Sequence, residues 1–119
     1  MAYKQRIGQV GEELVAEYIT GLGMEILDRN WRIREGEVDL VARERDGTFV
    51  FVEVKARSSL NFGHPLEAIT SAKALRLQRL ALAWLVMHNA WGQPYRIDCC
   101  ALFKTPQGEW EYDYRQGVL

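Results

Sequence analysis

The apolar positions of this chain change their period along its length. From Val10 onward the apolar residues Val10, Leu14, Tyr18, Ile19 and Leu22 recur at helical spacing, and "GLG" at 21–23 breaks the pattern, so a first helix is predicted over residues 10–22. The period then shortens. "EILDRNWRI" and "EVDLVARE" have strand character, Asp46-Gly47 supplies a turn, and "TFVFVEVKAR" is the strongest strand candidate in the chain. "SSLNFGHP" reads as a loop. Residues 66–88 contain no Gly or Pro and are rich in Ala, Leu, Lys, Arg and Gln, which predicts a long helix that is apolar over much of its surface. "YRIDCCALF" and "EWEYDYR" close the chain as two strands around the turn-forming "TPQG". The order α-β-β-β-α-β-β implies an α/β fold, with a mixed central sheet flanked by helices in two or three layers.

Composition narrows this picture. A chain of 119 residues that is 48% hydrophobic has material for one core, so residues 1–119 are expected to form a single domain. Lys and Arg total 15 against 16 Asp and Glu, a net charge of −1, which argues against a broad basic surface for nucleic acid but leaves room for a local basic patch. The first residues lack the apolar core of a signal peptide, and no segment supplies the roughly 20 apolar residues of a membrane span, so a soluble, cytoplasmic protein with no membrane partner is expected. Cys99 and Cys100 are adjacent on a predicted strand and therefore point to opposite faces; they are expected to be buried free thiols. Trp31, Trp84, Trp91 and Trp110 are expected in the core or at an interface.

The stretch "GEVDLVARERDGTFVFVEVKAR" places charges inside this hydrophobic pattern. Side chains alternate along a strand, so Phe49, Phe51, Glu53, Lys55 and Arg57 share one face, while Val50, Val52, Val54 and Ala56 share the other. The valine face is core. The opposite face begins apolar and ends charged, as a sheet does where it passes from under a helix into a cleft. On the preceding strand, strict alternation puts Glu37, Asp39 and Val41 on one face and Val38, Leu40 and Ala42 on the other. A two-residue Asp46-Gly47 turn would pair Asp39 with Val54 and send it to the core side. A three-residue loop, or one bulge, would set it opposite Glu53 or Lys55.

Two carboxylates beside an amine suit a hard divalent cation such as Mg²⁺ or Mn²⁺. Such an ion is held by one or two carboxylates and keeps waters for a phosphate oxygen and a nucleophile. The same residues could instead form a cross-strand salt-bridge cluster on a solvated face. Arg57, Lys73, Arg76 and Arg79 are candidates for a phosphate track, the last three recurring every third residue on the second helix; they could equally be that helix's solvated face. His64, in the predicted loop, could touch a substrate or simply be exposed.

Asp39, followed by "Glu53-Val54-Lys55", matches the D…(D/E)-x-K signature of the restriction-endonuclease-like nucleases, and the αβββαβ order matches their core. The wider text "GEELVAEYI…ILDRNWR…GEVDLVA…FVFVEVKAR…FGHPLEAI…K…RIDCCAL" resembles the YraN family of small bacterial proteins, related to Holliday junction resolvases. The resemblance spans nearly the whole chain. It implies the nuclease fold, with a site made of Asp39, Glu53 and Lys55. It also selects Glu12 as the Glu of a G-E-x-x-A motif in which Val15 replaces the Ala. Helical geometry agrees, because Glu12 falls roughly 20° from Ile19 whereas Glu13 points away from the apolar stripe. Glu12 could also be an ordinary first-turn acid favoured by the helix dipole.

The resemblance therefore implies a metal-dependent endonuclease hydrolysing DNA phosphodiester bonds, on branched or structured DNA. Asp39, Glu53 and the Val54 carbonyl would hold Mg²⁺ or Mn²⁺, Lys55 would act on the nucleophile, and Glu12 would bind a metal water or a second ion. The alternative is a nucleic-acid-binding or protein-interaction module that keeps the nuclease fold without useful turnover. Resolvase-like relatives often work as two-fold dimers, which makes a homodimer a further expectation.

Overall fold

The structure, a computed structural model, describes residues 2–57 and 70–118, with side chains from residue 8 onward. The predicted loop with His64, and the first four residues of the predicted second helix, lie outside the described residues. The element order is α1 (Ala2–Gly21), β1 (Glu25–Ile33), β2 (Gly36–Arg43), β3 (Phe49–Arg57), α2 (Ser71–Met87), β4 (Tyr95–Lys104) and β5 (Trp110–Arg115), which is the predicted α-β-β-β-α-β-β. Among the described residues no helix is long and apolar enough to cross a membrane.

The five strands lie side by side in chain order. The first three form an antiparallel meander, α2 carries the chain over to β4, which runs parallel to β3, and β5 returns antiparallel. The sheet is therefore mixed, and each face is covered by one helix, giving three layers. Against one face α1 packs Val15, Ala16 and Ile19 onto Leu40, Val50, Val52 and Leu102. Against the other, α2 packs Leu77, Leu80, Trp84 and Leu85 onto Val41, Phe49, Phe51 and Ile97. Trp84 anchors the second layer. Its ring meets those of Phe49 and Phe51 at 5.5 and 5.7 Å, and its Nε1–H donates to Asp28 Oδ2 at 3.1 Å. Cys99 and Cys100 are buried free thiols, and burial pushes both upward, to about 11 and about 12.

Helix α1 differs from its prediction in two ways. It begins at Ala2, because the polar run "YKQRIGQ" favours helix without displaying an apolar stripe. Its buried stripe is Gly11, Val15, Ala16 and Ile19, whereas Val10 and Leu22 are 46% and 55% exposed. Gly11 explains the shift. A Cβ there would lie 2.8 Å from the Cβ of Ala56 on β3, so only glycine lets the helix sit this close to the strand. A stripe that opens on glycine carries no hydrophobic signal at its first position. Val15, in the Ala position of the motif, is fully buried among core residues. Trp31, Trp84 and Trp110 pack into the two core layers, but Trp91 is 66% exposed.

Strand β2 departs from strict alternation. Val38 and Val41 both pack on the α2 side, while Leu40 and Ala42 pack on the α1 side, so one position between Val38 and Leu40 breaks the period. That position is Asp39. On β1 the corresponding break is at Asn30, whose backbone is left-handed (φ 50°), and the pairing runs from Arg29↔Leu40 to Trp31↔Val38 around it. The expected common face of Val38 with Leu40 and Ala42 fails here, because the ladder is distorted where the site begins, whereas Asp39 opens on the same α2 side as Val41.

Candidate active site

The connection between β2 and β3 sets the register that brings the charges together. Glu44 N–H donates to Thr48 O and Gly47 N–H donates to Glu44 O, both at 2.9 Å, and Gly47 takes a left-handed conformation (φ 94°). This leaves Arg45, Asp46 and Gly47 as a three-residue loop, and the strands pair as Arg43↔Phe49, Ala42↔Val50, Val41↔Phe51 and Leu40↔Val52. One step further along that register Asp39 faces Glu53, which is the shifted alignment and not the two-residue-turn alignment.

The two strands do not continue pairing beyond that step. β2 remains bonded to β1 as far as Gly36, and β3 remains bonded to β4 as far as Arg57, so the sheet forks between them. The Asp39 carboxylate sits in the fork, with Oδ2 accepting the Val54 N–H at 2.8 Å in place of a ladder partner. A strand residue sends its N–H and C=O out along the same edge, so the Val54 carbonyl also leaves on the fork side. Asp39 is only 7% exposed.

Glu53 and Lys55 stand on the α2 side of β3, with Lys55 Nζ 3.9 Å from Glu53 Oε2 and both side chains largely buried. Burial raises the Glu53 carboxyl to about 8. A hydrogen bond to Asp39 and that residue's negative charge add to the rise, while Lys55 and Lys73 oppose it. Two acids thus share a site with too little positive charge to ionise both comfortably. A bound cation would correct this deficit, and the donor set of two carboxylates plus one backbone carbonyl is of the kind Mg²⁺ or Mn²⁺ accepts. Among the described residues no group of three or more His, Cys, Asp or Glu side chains is placed to hold an ion by itself.

Glu12 occupies a separate hollow on the α1 side, lined also by Gln9, Asn30 and Leu40. Its carboxyl is raised by burial first and by the charges of Asp39 and Glu37, against the lowering effects of an Asn30 hydrogen bond and of Arg32. Asp39 therefore stands between two acids, Glu53 on one face of the sheet and Glu12 on the other. Asn30 lies within the "ILDRNWR" stretch that carries the family resemblance, but no role was assigned to it there, because its left-handed backbone and its approach to Glu12 are set by the fold.

The fork opens into a cleft of about 620 Å³, lined by Asp39, Glu53, Val54 and Lys55 from the sheet and by Lys73 and Arg76 from α2. Arg32 and Arg34, at the end of the β1–β2 hairpin, form the opposite wall. These two were not predicted; they stand close to Asp39 in sequence but carry no motif signal of their own, and the turn of the hairpin brings them to the cleft. Arg32 is held by Glu37, its cross-strand partner, at 2.7 Å. Arg79 lies in an adjoining groove beyond Arg76, and Arg57 is exposed at the end of β3, outside the cleft lining.

The family model described as Uncharacterised protein family UPF0102 matches residues 11–102. A UPF0102 protein of Beutenbergia cavernae is 47% identical over 118 residues, covering 99% of both chains. Two solved structures match at low similarity. One, entitled the structure of an EndoMS–dsDNA2 complex, is 23% identical at a TM-score of 0.43 and covers 71% of this chain and 31% of its own. The other, Pyrococcus furiosus SfsA in complex with Ca²⁺, is 18% identical at a TM-score of 0.44 and covers 98% of this chain and 65% of its own.

Proposed function

We propose that this chain, which belongs to the uncharacterised protein family UPF0102, is a metal-dependent nuclease that hydrolyses phosphodiester bonds in DNA. The observation that carries the reading is the fork in the sheet, where Asp39, Glu53 and Lys55 meet at the base of a cleft whose walls are cationic. A buried pair of acids is costly to a fold, and a structural salt-bridge cluster would place its lysine between the acids and leave no open cleft above them.

Asp39, Glu53 and the Val54 carbonyl are the groups that would hold Mg²⁺ or Mn²⁺, and Glu12 would reach the same ion through water. Such an ion supplies Lewis-acid polarisation of a phosphoryl oxygen and a more acidic bound water. The remaining work falls to the chain's own residues. The Val54 N–H fixes the orientation of the Asp39 carboxylate. The Lys55 ammonium, held beside Glu53, orients the attacking water and offsets negative charge that grows on the phosphoryl oxygens in the transition state. Lys73 and Arg76 bind phosphate from the α2 wall, with Arg34 opposite.

The test is cleavage of a panel of linear, flapped and four-way DNAs by the purified protein with Mg²⁺ or Mn²⁺, beside Asp39→Ala. Cleavage by the wild type alone supports the reading. Wild-type protein that binds DNA yet cleaves no substrate with either ion overturns it in favour of a binding module.

A further inference from the structure

Beyond Arg76 the catalytic cleft continues into a second hollow of about 640 Å³, and the two share Ile33, Arg76 and Leu80. The second hollow has a different chemistry. Its floor and sides are Ile33, Leu80, Ala72 and Ala83, and its charged groups are Arg76 at the junction, Arg79 further along and Glu35 from the β1–β2 turn. The cations Lys73, Arg76 and Arg79 run from the first turn of α2 to its middle, and neither a basic residue in the last turn nor an acidic one in the first turn is present. The dipole disfavours Lys73 in the first turn and barely reaches Arg76 and Arg79, so helix stability does not explain the row of three.

We infer that this second groove holds the unpaired base of a nucleotide next to the scissile phosphodiester, so that the substrate is DNA with an unpaired nucleotide at the cleavage position. A base within a duplex hides its faces in the stack, and only an unpaired one can lay an apolar face against Ile33, Leu80 and Ala83. Arg76, at the junction, is placed to hold the phosphate linking the two hollows, and Arg79 the next one. The net charge of −1 is consistent with this selectivity. The few cations of the cleft and groove neutralise only a short run of phosphates, so contacts to the base add to what the backbone supplies. This inference rests on the neighbouring cleft taking the phosphodiester.

Binding is measured by fluorescence anisotropy in the presence of a chelator, which separates it from turnover. The ligands are a fully paired duplex, the same duplex with a single-nucleotide flap, and that flap carrying an abasic nucleotide at the junction. The flapped duplex should bind about tenfold tighter than the paired one, equivalent to about 1.4 kcal/mol. The abasic flap should lose that advantage, and Ala83→Phe, which fills the groove, should bring the flapped-to-paired ratio close to one. Equal binding of paired and flapped duplexes, an advantage that survives removal of the base, or absence of binding to any of the three overturns the inference. Because no metal is present, failure of cleavage in the earlier assay leaves this result intact, and a nuclease that cleaves paired and flapped DNA alike would defeat the groove while keeping the catalytic reading.

Discussion

Asp39 on β2 is tied to β3 through its side chain, its Oδ2 accepting the Val54 N–H at 2.8 Å where the backbone ladder has stopped. One carboxylate thus closes the sheet and faces the cleft. The two roles can be separated. Asp39→Asn keeps an oxygen for the Val54 N–H but removes the charge, so it should melt within a few degrees of the wild type and bind no Mn²⁺ by calorimetric titration. Asp39→Ala should lose both, with a stability cost of about 1 kcal/mol for the missing hydrogen bond. Mn²⁺ binding by Asp39→Asn equal to that of the wild type would remove Asp39 from the metal site.

Glu53 makes stability depend on pH in an unusual direction. Its folded carboxyl titrates near 8, above the ordinary 4.5, so between these values the unfolded chain has released a proton that the folded chain still holds. Folding therefore binds a proton, and the ion-free protein loses stability as pH rises through that window. Glu53→Gln lacks the charge, and its melting temperature relative to the wild type should climb from pH 5 to pH 8.5. Added Mn²⁺ at pH 8 should raise the melting temperature of the wild type and not that of the variant. A difference between the two proteins that stays flat with pH would contradict the assigned burial of this acid.

Lys55→Met preserves the aliphatic stem and removes the ammonium. If the charge acts in the transition state, the fold and metal binding survive while the cleavage rate falls on the order of 10²-fold, equivalent to about 2.7 kcal/mol. A variant that loses several degrees of melting temperature but keeps its rate would make Lys55 the partner of Glu53 in a structural ion pair.

Gly11→Ala tests how α1 positions Glu12. The added methyl would meet Ala56 at 2.8 Å, so the helix must move away from β3 at a cost of about 1–3 kcal/mol. Glu12 moves with it, and cleavage should fall by more than the loss of folded protein explains. Gly8→Ala, where a Cβ would meet nothing within 4 Å, is the control; it should leave the rate unchanged and raise stability by about 0.5–1 kcal/mol, as alanine does in a helix interior. Equal behaviour of the two variants would mean that α1 tolerates displacement without consequence for the site.

Local pattern and composition were enough to read the seven elements and their order, though not the start and buried stripe of α1 or the break in β2. The valine face of β3 and the charged end of its opposite face were equally legible, and so were the two possible registers of the β2–β3 hairpin. The choice between those registers was not. It depends on Gly47 adopting a left-handed conformation that makes the loop three residues long, and "ERDGT" permits a two-residue turn equally well.

By itself the sequence determined that an acid and a lysine, Glu53 and Lys55, lie at the charged end of a buried strand in an α/β fold, since alternation along one strand is a local property. Only the tertiary structure decided what surrounds them. It brought Arg32 and Arg34 across from Lys73 and Arg76, placed Glu12 and Asn30 in a hollow on the opposite side of the sheet, and broke the alternation of β2 at Asp39, where the cleft opens. Those relationships join residues up to 76 − 32 = 44 positions apart, and they exist because the sheet forks while each of its halves stays paired to its outer neighbour. A long-range opening of this kind has no periodicity of its own along the chain, so it can be seen only once the strands have been laid side by side.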